Sequence, residues 1–231
     1  MKKNFYWFAC FACATVALAF SSCNDDNIEP DIEVPTEVTG VYILNGGDYG
    51  GNNAGISYLD SEGKVTEDIF KKQNNRDLGD MGQHMIKYGS KLYVSMYGSK
   101  TVEILDAADA TSLKQLTLTD DQGAIRPPRM FAAYNGKVYL TTFDGYVAKI
   151  DTASMAVEGY VKVGPNPDGI TIANERIYTA DTDGMNWPSQ STRVSVVDIN
   201  SFEFEKTITV SLNPNYIYSD SDGDVYVICM S

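Results

Sequence analysis

Val138-Tyr139-Leu140-Thr141-Thr142, then Asp144-Gly145, then Tyr146-Val147-Ala148-Lys149-Ile150-Asp151 is the stretch on which the fold turns. Two runs rich in β-branched and aromatic residues, joined by a tight Asp-Gly turn, make a β-hairpin pattern. The first half of the phrase returns as Val41-Tyr42-Ile43, Leu92-Tyr93-Val94, Ile177-Tyr178-Thr179 and Val225-Tyr226-Val227, so that successive tyrosines stand 51, 46, 39 and 48 residues apart. The second half ends in an apolar residue and Asp at Leu59-Asp60, Leu105-Asp106, Ile150-Asp151 and Val197-Asp198, spaced 46, 45 and 47. Two independent marks keep one period of about 46 residues, the period of four-stranded propeller blades. The expected fold class is therefore all-β, a β-propeller of four-stranded blades over residues 40–231.

Within the second repeat the expected strands are 83–88, 91–96, 101–106 and 113–118. In the third they are 129–134, 137–142, 146–151 and 157–162, and in the fourth 169–173, 176–180, 193–198 and 205–210. Gly and Asn between first and second strands supply the positive φ of tight hairpins. The Asp that ends each third strand is expected to accept bonds from backbone N–H groups two residues on, closing a turn. No segment shows a helical period. The first repeat begins at its second strand, near Val41, and the fifth stops after its second, near Cys229. About four blades are present, and the chain is expected to be a truncated piece.

The chain carries a net charge of −13 with no basic cluster, which argues against nucleic-acid binding, because phosphate neutralisation needs clustered Lys and Arg. Residues 1–22 read as a signal peptide. Lys2-Lys3 precedes an apolar run that is short for a membrane span. Phe20-Ser21-Ser22-Cys23 is similar to a bacterial lipobox, with Cys23 the lipidated residue. Residues 23–39 are an acidic, Pro-containing tether. Removing residues 1–22 takes two lysines and no acid, leaving 16 basic against 31 acidic groups, a net charge of −15. It also removes Cys10 and Cys13, whose C-x-x-C spacing lies inside the signal and carries no redox or zinc reading.

Several phrases resemble the Bacteroidetes YncE-like surface lipoproteins (YVTN-type, DUF5074), a group similar to the cobalamin-binding BtuG-type proteins. They are the run from Val41 to Ala54, Asp80-Met81-Gly82-Gln83, Pro127-Pro128-Arg129, the run from Val163 to Gly169 followed by Asn174-Glu175-Arg176-Ile177-Tyr178, and the run from Asp222 to Cys229. The family's opening carries Glu and Trp where this chain has Gly46 and Tyr49. The resemblance implies a seven-bladed propeller of roughly 320 residues at this period. It also implies a lipid-anchored protein of the outer membrane facing the cell exterior, with cobalamin or another corrinoid as the leading ligand. A TonB-dependent outer-membrane transporter is the partner it implies.

Chemistry is sparse. His84 is the one histidine, so catalytic triads and His-rich metal centres are not expected. No catalytic residue and no metal ligand is assigned, and no cofactor is expected. Binding is the better use of the architecture. Loops joining second to third strands share one face with loops joining successive blades. They carry Asn45, Tyr49, Asn52, Asn53, Arg76, Arg126, Asn186 and Trp187, amide, Arg and aromatic groups able to bond and stack on a polar, ring-containing ligand. Two alternatives stand beside this reading. One is a metal-dependent hydrolase or lyase with a Glu/Asp/Asn calcium centre, and the other a scaffold propeller that binds protein.

Overall fold

In a computed structural model of the chain, which describes residues 40–230, successive antiparallel sheets follow one another along the sequence. The first sheet is β1 (Gly40–Asn45), β2 (Gly55–Asp60) and β3 (Val65–Thr66). After a short helix α1 (Ile69–Asn74) comes the second sheet, β4 (Gly82–Tyr88), β5 (Lys91–Met96), β6 (Thr101–Asp106) and β7 (Ser112–Leu116). The third is β8 (Pro128–Tyr134), β9 (Lys137–Thr142), β10 (Tyr146–Asp151) and β11 (Ala156–Lys162). The fourth is β12 (Pro167–Ala173), β13 (Arg176–Asp181), β14 (Arg193–Asp198) and β15 (Glu203–Thr209), and β16 (Pro214–Ser219) pairs with β17 (Val225–Cys229) in the last. This is a β-propeller of about four blades. The signal peptide, Cys23 and the tether read from the sequence lie outside the described residues.

The hairpin at Asp144-Gly145 pairs Thr142 with Tyr146 and Val138 with Ile150, as its alternation requires. The closing aspartates do the local work expected of them. Asp60 accepts from the Glu62 N–H, Asp106 from Ala108 and Asp198 from Asn200, at 2.8–3.0 Å. Asp151 takes the Ser154 N–H instead, at 2.7 Å, and pairs with Lys137. Each blade then buries its apolar faces against its neighbours. Tyr93, Ile104, Phe131, Val138 and Ile150 form one core between the second and third sheets. Tyr139, Val147, Ile170, Ile177 and Val197 form another between the third and fourth. The terminal sheets leave Val41 and Ile43, and Tyr216, Tyr218, Tyr226 and Ile228, exposed.

α1 departs from the expectation of no helix. Six residues are under two turns, too few for a period to show. It is held by its context. The Asp68 side chain caps Lys71 N–H, and Phe70 is fully buried in the core with Ile56 and Leu92. Among the described residues, no helix is long and apolar enough to cross a membrane.

One irregularity recurs in every blade whose first strand is described. Pairing of first to second strand slips between Gly82 and His84, Pro128 and Phe131, Pro167 and Ile170, and Pro214 and Tyr216. Such bulges re-aim a side chain at the cost of a ladder bond. Hydroxyls on second strands repair that cost. Thr141 Oγ1 accepts the Met130 N–H at 3.0 Å and lies 2.7 Å from the Asp168 carbonyl of the next blade, to which it donates. Ser95 Oγ does the corresponding job at the Arg129 carbonyl, 2.5 Å away. Thr141→Val keeps the volume and strands both backbone groups in a buried site. It is expected to cost about 2 kcal/mol in urea unfolding, and a loss under about 0.5 kcal/mol would show that these bonds do not join the blades.

Candidate functional site

Antiparallel order puts the loops between second and third strands on one face of the propeller, together with the loops between blades. The four bulges sit at this same end of the first strands. They leave Gln83, Arg129, Asp168 and Asn215 out of the ladder, one polar residue per blade at the mouth of the structure.

Three of the four are joined. Arg129 Nε donates to Asp168 Oδ1 at 3.0 Å, Nη2 to Oδ2 at 2.5 Å and Nη1 to Gln83 Oε1 at 3.0 Å. All three nitrogens are used, so the guanidinium ties three blades together. Above it lie two rings at matching positions, the first residue after each second strand. Its carbon is 5.0 Å from the centre of Tyr97 and 5.4 Å from that of Phe143. Tyr97 and Phe143 meet edge to face at 5.6 Å, and Tyr49 extends the row to Tyr97 at 6.5 Å. The result is a line of three aromatic side chains crossing the face over a neutralised cation.

The loop carrying Tyr49 is prefolded. Asp80 accepts the Gly50 N–H at 2.9 Å, and Asn53 Oδ1 accepts the Asp48 N–H at 2.8 Å. Gly47 has φ +71°, and a Cβ there would stand 2.5 Å from Asn53 Oδ1, so only glycine lets this loop close. Tyr49 itself is 74% exposed. Asn52 lends its N–H to Asp80 at 3.4 Å, and Asn45 Nδ2 donates to Ser57 Oγ at 3.0 Å.

The other sequence-derived candidates are placed apart from this row. Arg76 turns away and donates to both oxygens of Glu103 at 3.0 and 2.9 Å. Glu103 is fully buried and also bonds Ser112 and Gln115. Arg126 pairs with Asp144 and stacks between Tyr146 and Tyr160. Asn186 braces its own loop, donating to Asp183 Oδ2 at 3.2 Å and the Ser189 carbonyl at 3.0 Å. That leaves its neighbours Met185 and Trp187 77% and 78% exposed on a hydrogen-bonded platform.

Gln83, Tyr97, Arg129, Phe143 and Asp168 were not among the sequence candidates. For Arg129 and Asp168 a signal is present. A polar residue follows Pro at Pro128-Arg129, Pro167-Asp168 and Pro214-Asn215, at the head of otherwise apolar strands.

Two ionisable groups are shifted by burial near this face. Desolvation pushes the Asp181 carboxyl up to about 6, against bonds from Ser195 at 2.6 Å, Thr179 at 2.7 Å and Arg193 at 3.2 Å that favour its charge. Burial lowers the pKa of His84, whose Nδ1 accepts the Phe131 N–H at 3.1 Å and so stays unprotonated. Among the described residues, no group of three or more His, Cys, Asp or Glu side chains is placed to hold a metal ion.

Residues 39–229 match the family described as "Domain of unknown function (DUF5074)". None of the curated proteins matches the sequence. Among solved structures, Sqt1 of Saccharomyces cerevisiae is similar at TM-score 0.62 and 11% identity, over 84% of this chain and 54% of that one. The WD40 β-propeller domain of Doa1 is similar at TM-score 0.60 and 12% identity, over 83% of this chain and 57% of that one. Hydrazine synthase of Kuenenia stuttgartiensis is similar at TM-score 0.53 and 20% identity, over 61% of this chain and 39% of that one. The chain thus spans between 39% and 57% of the length of these structures, and the likeness is one of fold.

Proposed function

Since the chain belongs to the DUF5074 family, we propose that it is a binding propeller whose loop face holds a planar, ring-containing ligand. The supporting observation is the row Tyr49, Tyr97 and Phe143, laid over an arginine whose charge is paired with Asp168 and whose three nitrogens each donate to Asp168 or Gln83. Such a surface offers stacking area without an unpaired charge to desolvate. The YncE-like resemblance extends this reading to a surface lipoprotein, lipidated at Cys23. It captures cobalamin or another corrinoid for a TonB-dependent transporter, and binds rather than transforms its ligand.

Calorimetric titration of the lipid-free chain with cyanocobalamin tests it. Saturable heat with micromolar ligand is expected, lost in Tyr97→Ala with unchanged circular dichroism. Absence of both heat and spectral change rejects the corrinoid. Turnover of a glycan or lactone that stops on chelation would favour the hydrolase or lyase class instead.

A protein-binding reading is favoured by one observation, the exposed pair Met185 and Trp187 on their braced loop. Rigid apolar anchors of this kind are the usual centres of protein interfaces. If it holds, a transporter is retained by the immobilised protein without added small molecule, and Trp187→Ala releases it.

A further inference from the structure

Toward the outer strands of the loop face, a cleft of about 500 Å³ lies between the turn at residues 119–125 and strands β10 and β11. Asp120, Asp121, Gln122, Arg126, Tyr146 and Tyr160 line it. Its volume is that of a site for a small ligand. Arg126 is its floor, 8% exposed, with its guanidinium carbon 3.7 Å from the centre of Tyr146 and 4.8 Å from that of Tyr160. Asp144 takes one nitrogen, Nη1, and Nε is enclosed without a partner, so the donor left for the cleft is Nη2, which bonds nothing else among the described residues.

The rim carries groups free for a ligand as well. Asp120 spends one oxygen on its own turn, accepting from the Gln122 and Ala124 N–H groups at 2.9 and 2.8 Å. Among the described residues nothing bonds the Asp121 carboxylate or the Gln122 amide. The cleft therefore presents one cationic donor, carboxylate acceptors, an amide that does both, and tyrosine edges. An anion would face Asp120, Asp121 and Asp144. A cation would find the ring faces already taken by Arg126. A hydroxyl-rich neutral molecule meets both demands, because each hydroxyl donates to a carboxylate and accepts from a guanidinium or amide.

We propose that this cleft binds a pyranose unit of a neutral carbohydrate, at a site separate from the aromatic row and independent of its ligand. Isotope-labelled full chain is titrated with methyl α-D-mannopyranoside and methyl β-D-galactopyranoside, with sodium phosphate and choline as the anionic and cationic arms. The expected result is saturable, millimolar shifts of the Gln122, Tyr146 and Tyr160 amide signals with at least one glycoside and none with phosphate or choline. Asp121→Ala and Gln122→Ala should each weaken binding about tenfold. Both side chains lack partners in the fold, so the rest of the spectrum serves as the folding control. Shifts with phosphate or choline alone, no shift with either glycoside, or undiminished glycoside affinity in Asp121→Ala would overturn the proposal.

Discussion

Replacing Arg129 with methionine is expected to lower the folding free energy by about 3–5 kcal/mol, the cost of stranding a buried charge. The Arg129 side chain is only 14% exposed and that of Asp168 only 11%. Methionine fills much of the same space but leaves the Asp168 carboxylate facing an apolar group, and removes the bond to Gln83. The loss falls at the junction of three blades, so it should appear as reduced cooperativity between them as well as reduced stability. Exchanging both partners, as Arg129→Met with Asp168→Leu, removes the stranded charge and should recover most of the loss. Urea unfolding of the single and double variants measures both effects. A single-variant cost under 1 kcal/mol would mean that the pair behaves as a surface ion pair and that bulge geometry alone holds the mouth together.

A different substitution separates stability from binding. Tyr97 and Phe143 each rest on the guanidinium, so the methionine variant also loosens the stacking row. Tyr97→Ala removes a ring and leaves the Arg129 bonds in place. A fold-competent Tyr97→Ala protein without ligand affinity would thus locate binding in the aromatic face rather than in the clamp.

What the sequence disclosed was what local chemistry controls. β5, β6, β9, β10, β14 and β17 begin and end close to where the Tyr and Asp marks put them, because their turns are closed within a few residues. An Asp accepts from an N–H two or three positions on, and Gly or Asn supplies the positive φ. Glu103 shows where this reasoning stops. It sits between Val102 and Ile104 in a strand, a pattern that reads as a solvent-facing acid on a half-buried sheet. In the fold it is fully buried, and Arg76 comes from 27 residues away to neutralise it. Arg76 therefore looked available when it was committed to a partner beyond local reach. The mouth cluster has the same character. Gln83, Arg129 and Asp168 are 46 and 39 residues apart, and only the bulges bring them together.

Between about pH 4 and pH 6 the protein should become less stable as pH rises, by roughly 3 kcal/mol in total, and Asp181 is the cause. Its carboxyl titrates at about 6 in the fold and at the ordinary 3.8 when unfolded. Within that window the native state holds a proton that the unfolded chain has released, so raising pH favours unfolding. Burial dominates because the carboxylate is fully enclosed, with Gly164 so close that a Cβ there would collide with Asp181 Oδ2. Ser195, Thr179 and Arg193 offset only part of that cost. The carboxylates Asp198, Glu205 and Asp220, none of them buried, shift the other way, held low by hydrogen bonds and ion pairs. Their contribution is lost only as pH falls below the ordinary carboxylate range, so it does not mask the slope above it. Asp181→Asn keeps the shape and an acceptor for one hydroxyl while removing the titration. The variant should be more stable than the parent at pH 7 and nearly flat from pH 4 to 6. Urea midpoints taken across that range decide the matter, and an unchanged slope in Asp181→Asn would assign the pH dependence to another group.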